Sequence, residues 1–196
     1  MQSIRRLYVT KKAPFAQDAK RILSDLKENL LISGLTDVKI FNRYDVGGLD
    51  DQAFAQAKTM IFSEPPVDAI YDELPVAKGD TVLAMEYLPG QYDQRADSAV
   101  QCLQMLTMAN DSAVRTATIF VLSGTLSDAD MVAIKHYLIN PVEAREASLD
   151  AAQSLELAWE QPEDVPVIDG FMAMSDDDLK DCLLYTSDAA DEGLGV

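Results

Sequence analysis

Apolar and polar positions follow two rhythms along this chain, and both rhythms recur. Around Leu7 and Val9, the stretch from Arg5 to Lys12 alternates every second residue and predicts a strand. From Pro14 the rhythm lengthens: Phe15, Ala19, Ile22, Leu23, Leu26 and Leu30 form one helical face, and Gly34 is placed to end the helix. Val38 to Tyr44 predicts a second strand and Gly47-Gly48 a turn. Asp50 or Asp51 caps a short helix running through Phe62, stopped by Pro65-Pro66. Thr81 to Leu88 then predicts a strand, Pro89-Gly90 a turn, and Asp93 to Asn110 a helix. Arg115 to Leu122 is a strand rich in β-branched and apolar residues. Ser127 caps a last helix over Met131, Ile134 and Leu138, which Asn140-Pro141 ends.

The two halves of this pattern superimpose. Under a shift of 77, Phe15, Gln17, Ala19, Leu23 and Leu26 fall on Tyr92, Gln94, Ala96, Val100 and Leu103. Leu49, Asp51, Phe54, Lys58 and Ile61 fall on Leu126, Asp128, Met131, Lys135 and Leu138. After a two-residue gap, Pro66-Val67-Asp68-Ala69 falls on Pro141-Val142-Glu143-Ala144. The reading is a duplicated domain over 1–148, with repeats at about 1–75 and 78–148. The expected fold class is α+β: two strand–helix–strand units forming antiparallel sheet, with helices on one face. Each unit alone has a thin core, which favours packing the two as a pseudo-dimer. An extended linker is expected over 149–168, where Gln161 to Pro166 is acidic and Pro-bearing. Ser175, followed by Asp176, Asp177 and Asp178, reads as the first turn of a helix in a domain beginning over 169–181.

Charge sharpens this division. The net charge of −17 is spread unevenly: residues 1–45 carry +4, residues 46–145 carry −8 and residues 146–196 carry −13. Such acidity argues against nucleic acid or an anionic membrane surface as partner. No apolar run approaches the roughly 18–20 residues of a membrane span, and the start lacks a secretory apolar region, so a cytoplasmic protein is expected. The end is unusual in another way. Cys182 to Glu192, Cys-Leu-Leu-Tyr-Thr-Ser-Asp-Ala-Ala-Asp-Glu, is what an in-frame translation of a transposon-type sequencing adapter gives. Residues 182–196 are therefore expected to be a scar, and the native chain to be an N-terminal piece of something longer.

Candidate chemistry is sparse. With Cys182 set aside, Cys102 is a lone thiol in a helical stretch, better read as a small buried residue than as a nucleophile. His136 reads as a solvated helix residue, and no Walker loop, GxGxxG, GxSxG or HExxH occurs. No catalytic, cofactor-binding or metal-binding residue is expected. Two dense polar clusters remain. In one, a strand end, a Pro-Gly turn and a helix start are expected to bring together Glu86, Gln91, Asp93, Gln94 and Arg95. In the other, Glu143, Arg145 and Glu146 follow a helix stop. They are either caps and surface ion pairs or an interface for other domains, where Arg makes bidentate contacts.

Four stretches also resemble one family. Phe41-Asn42-Arg43-Tyr44-Asp45-Val46, Phe62 through Asp68, Glu86 through Cys102, and Tyr137 through Leu149 are similar to the N-terminal region of large-form phosphoribosylformylglycinamidine synthase. The likeness is to the single-chain bacterial form of clostridia and relatives, and it covers about residues 3–181. It implies an ATP- and Mg²⁺-dependent glutamine amidotransferase of de novo purine synthesis, converting formylglycinamide ribonucleotide and glutamine into formylglycinamidine ribonucleotide and glutamate. It implies that this N-terminal part is a non-catalytic fused pair of small-subunit units. Its partners would be the synthetase and glutaminase domains of the same chain. Cys102 does not match the glutaminase nucleophile motif and inherits no role. The alternative is a free-standing dimerising accessory subunit or binding module. Sequencing the encoding DNA past codon 181 separates the two. Adapter bases there are the expected result; a genuine stop codon supports the free-standing module.

Overall fold

The structure, a computed structural model, describes residues 4–155 and 171–179. The first of two compact units contains the strands β1 (Arg5–Lys11), β2 (Leu35–Gly47), β3 (Asp68–Tyr71), β4 (Thr81–Tyr87), β5 (Ala113–Gly124) and β6 (Ala144–Glu146). Its helices are α1 (Gln17–Glu28), α2 (Asp51–Met60), α3 (Gln94–Thr107) and α4 (Asp128–Leu138). The strands form one six-stranded sheet, in the order β3-β1-β2-β5-β4-β6, with each neighbouring pair antiparallel. The fold class is α+β, as the alternating and helical rhythms indicated.

The long β2–β5 ladder runs from Leu35↔Gly124 to Gly47↔Ala113 and joins the two halves. On either side of it the pairings match when 76 is added to each residue number. Arg5↔Val46 becomes Thr81↔Leu122, and Lys11↔Asp68 becomes Tyr87↔Ala144. Between the helices the matching shift is 77, which places Ile22 on Ala99, Leu26 on Leu103, and the N-cap Asp50 on the N-cap Ser127. Applied to the strands, a shift of 77 would set inward Val38 on Arg115 and exchange the faces of the sheet. The connecting loops absorb the extra residue.

Period-two alternation divides the sheet into a helix side and an open side. On the helix side, α2 and α3 close one apolar cluster with Leu7, Val9, Tyr44, Val46 and Val114. Helices α1 and α4 close a second, with Val38, Leu83, Phe120 and Leu122. On the open side lie Tyr8, Phe41, Ala84, Ala117, Ile119 and Val121, all buried although no helix packs there. Two connecting segments cover them. Residues 72–80 must cross from β3 at one edge to β4 near the other; Leu74 packs on this cluster, and Ser123 Oγ donates to Asp80 at 2.7 Å. Residues 147–155, expected to begin a linker, belong to this unit and cross back: Ala147 N–H donates to Ala84 O at 2.9 Å.

Arginines pin that second strap. Arg43 donates to Ser148 O at 2.6 Å and Arg6 to Leu149 O at 2.7 Å. Asp45, 2% exposed, lies between the two guanidiniums, accepting from Arg6 Nε at 2.5 Å with Arg43 Nε at 3.3 Å. Burial lowers the pKa of Arg43, offset in part by the Asp45 charge; for Arg6 burial acts the same way, but Asp45 outweighs it and the net shift is upward.

Local chemistry moved some expected boundaries. β2 and β5 extend beyond the expected strands because their ends pair with each other. α1 stops at Glu28, and Leu31, not Gly34, takes the left-handed conformation (φ 56°). Gly34 serves a close approach instead: a Cβ there would lie 2.0 Å from Thr125 O, and one on Gly124 (φ 135°) would lie 2.1 Å from Gly34 O. The edge strands β3 and β6 were not expected, being four and three residues long with too little pattern to read. Ser127 and Asp130 form a capping box on α4, and the Ser127 hydrogen bonds hold the Asp130 carboxyl below the usual carboxylate range.

In the second unit, Phe171–Ala173 is a 3-10 turn and residues 176–179 are helical. Ser175 and Asp178 exchange capping hydrogen bonds there, as the sequence led one to expect. The rest of the expected linker, residues 156–168, and the expected scar, residues 182–196, lie outside the described residues.

Removing the carboxylate that separates the buried Arg43 guanidinium from the half-buried one of Arg6 should be costly. Asp45→Ala is expected to destabilise the domain by about 3–5 kcal/mol and to speed amide exchange in the strap. Urea denaturation and hydrogen exchange measure both, and a loss under about 1 kcal/mol would assign the cluster no structural weight.

Candidate functional site

A polar strip lies at the centre of the sheet on its helix side, half-buried on the strands and exposed on α3. Asn42 on β2 pairs directly with Thr118 on β5, and Tyr44 with Thr116. In a helix-covered sheet the middle strands normally carry the most apolar residues. The same central rows on the open side obey that rule, with Phe41 opposite Ile119, both fully buried. The helix side does not, because its two helix pairs close separate clusters and leave the middle between them.

Two clefts meet there. One, of about 450 Å³, lies along α3 over β4 and β5 and is lined by Met85, Gln94, Arg95, Ser98, Cys102 and Thr116 among others. The other, of about 790 Å³, lies along α1 over β1 and β2. Tyr44, Arg95 and Thr118 line both, so the clefts form one trough across the sheet centre. Tyr44 is 6% exposed, its ring tilted against Phe62 with centroids 4.9 Å apart, which leaves the hydroxyl at the trough. Arg95 Nη1 stands 3.5 Å from that hydroxyl and forms no ion pair among the described residues.

Asp93 organises the trough wall. Its side chain accepts from Ala96 N–H at 2.9 Å, capping α3, and from the Thr116 hydroxyl at 2.6 Å, tying the helix start to β5. Asp93, Gln94 and Arg95 are therefore together, as expected, with Gln94 and Arg95 on the trough.

Glu86 lines the same cleft as Gln94 and Arg95, but its carboxylate is bound away from them. The alternation of β4 turns its side chain to the open side, where Arg145 donates through Nε at 3.0 Å and Arg115 lies at 3.4 Å. Its carboxylate is thus shared between two guanidiniums of β5 and β6. Gln91 reaches Val142 O at 3.3 Å, and the Glu143 carbonyl accepts from Leu88 N–H at 3.0 Å. Glu146 turns to the helix side and pairs with Lys135 of α4 at 2.7 Å. The two polar stretches thus meet at the β4–β6 edge, though through the backbone and three separate contacts.

Cys102 is half-buried and lines a cleft, whereas His136 is exposed on α4. Among the described residues no group of three or more His, Cys, Asp or Glu is placed to hold a metal ion. No helix among them is long and apolar enough to cross a membrane. The arrangement sets hydrogen-bond donors and acceptors side by side on the sheet. Asn42, Tyr44, Thr116 and Thr118 were missed as site residues in the sequence. The available signal was a run of polar residues inside otherwise apolar strands.

Comparisons with family models, with curated proteins and with solved structures find no match to this chain.

The double role of Asp93 is testable. Asp93→Ala should cost about 1–2 kcal/mol in urea denaturation, and Asp93→Asn less, because an amide still caps. Equal losses in the two variants would mean that the Thr116 contact, not the cap, dominates.

Proposed function

We propose that this chain is a scaffold and docking domain of a glutamine-dependent formylglycinamidine ribonucleotide synthase, non-catalytic by itself. Glutaminase and ATP-dependent synthetase domains of the same enzyme would be its partners, and the cytoplasm its compartment. One observation carries the reading. Two of the stretches that resemble this family, Glu86 through Cys102 and Tyr137 through Leu149, are distant in sequence and meet at one edge of the sheet. There they present the paired charges Glu86, Arg115 and Arg145 on a rigid ladder.

The physical requirement of such an enzyme favours a domain of this kind. Ammonia released in one domain must reach an activated substrate in another without escaping, so the two sites need fixed register and an interface that responds to ligands. A sheet spanning both halves of the domain, with matching pairings on each side, gives two similar rigid surfaces at a set distance. The fused-pair reading of the two halves belongs to this proposal. A free-standing accessory module of the same complex would use the same surfaces.

The test is a chimera in which residues 1–155 of this chain replace the corresponding part of a clostridial large-form synthase. Glutamine-dependent product formation is the expected result. Arg145→Ala in that chimera should lower glutamine-dependent turnover by about tenfold, roughly 1.4 kcal/mol of coupling, while ammonia-dependent turnover persists. The isolated chain should show neither ATPase nor glutaminase activity. A chimera inactive with both nitrogen sources, yet folded, sinks the reading.

A further inference from the structure

The trough across the sheet centre is unfilled in a way that specifies what fills it. Its floor is polar where the core of such a sheet is otherwise deepest, and its polar groups are not spent on one another. Among the described residues the side chains of Asn42, Gln94, Ser98 and Thr118 make no hydrogen bond to protein, and Arg95 makes a single long one to Tyr44. This is a surface supplied with donors and acceptors for something outside the domain.

We infer that the trough receives an extended acidic segment from another domain of the synthase, with one Asp or Glu carboxylate held by Arg95 and the Tyr44 hydroxyl. The inference rests on the proposed function and names the element that docks. Charge complementarity selects an acidic occupant: Arg95, shared by both clefts, forms no ion pair among the described residues, nor do Lys20 and Lys39, which line one of them, while Arg21 and Lys11 there are paired with aspartates. A guanidinium matches a carboxylate in bidentate geometry. The rest of the trough suits peptide backbone. Asn42 and Thr118 each offer a donor and an acceptor side by side, as a passing amide requires. Gln94 and Ser98 continue the polar lining along α3, and the trough runs on from cleft to cleft, longer than a compact ligand needs.

The fold supplies its own reporter, because the thiol of Cys102 lines the cleft beside Arg95. In a Cys182→Ser background, the isolated chain should react with iodoacetamide at Cys102 at a measurable rate. In the chimeric synthase the same thiol should react about tenfold more slowly, since a tethered segment occupies the cleft at high effective concentration. Arg95→Glu in the chimera should restore most of the lost reactivity, and Arg95→Lys should restore less. A benzophenone-maleimide on Cys102 should crosslink to an Asp- or Glu-bearing segment outside residues 1–155. Equal Cys102 reactivity in chain and chimera overturns the inference, as does a crosslink confined to residues 1–155 or to a second copy. Those results leave the proposed function standing if the chimera turns over glutamine, whereas an inactive chimera removes the function itself.

Discussion

The antiparallel ladder between β2 and β5 is the constraint on which the rest of the molecule depends. Its twelve paired positions are the only main-chain seam between the two halves of the sheet. Because side chains alternate, this one register decides which residues of both strands face the helices. A slip of β5 by a single residue would turn Ile119 and Val121 toward the helices and send Phe120 and Leu122 to the open side. The register is protected by such apolar rows on both faces. It is also fixed at one end by the mutual approach of Gly34 and Gly124, where no side chain fits.

Given that register, the two faces are closed by different means. The open side is closed by the chain itself, with connections running from edge to edge. Topology forces the first connection, since β3 and β4 lie near opposite edges of the sheet. The second is voluntary, and beneath it Arg43 and Asp45 lie buried with Arg6 half-buried beside them. Two guanidiniums against one carboxylate leave an excess positive charge in a poorly solvated place, and carbonyl oxygens of the strap answer it. Carbonyl acceptors cost no further charge burial, so main-chain oxygens of the strap stabilise the pair of arginines where a second buried acid would face its own desolvation.

Much of this was legible in the sequence, for reasons tied to particular residues. The helix caps Asp50, Asp93 and Ser127 announce themselves because short polar side chains favour that position on local grounds alone. The four central strands were readable from their apolar content, and their antiparallel sheet followed from the element order. What could not be read depends on partners far along the chain. β3 and β6 are strands only because β1 and β4 offer edges to pair with. Glu86 and Arg95 stand nine residues apart in one polar run, yet strand alternation and a helix start send them to opposite sides of the sheet. The left-handed Leu31 and Met108, 79% and 90% exposed, could not be anticipated, since glycine or asparagine is the ordinary choice there.

The helix side differs from the open side in what its polar residues do. Arg43 and Asp45, buried under the strap, have partners within the domain, whereas the side chains of Asn42 and Thr118, on the neighbouring inward positions, have no hydrogen-bond partner among the described residues. Apolar residues at 42 and 118 would have joined the two helix-side clusters into one core and added stability by burial. Their polar identity forgoes that gain. Apolar Phe41 and Ile119 occupy the same ladder one position away, so strand propensity does not demand polarity here. The sheet is packed on one face and polar at the centre of the other, and the proposed docking role draws on that asymmetry.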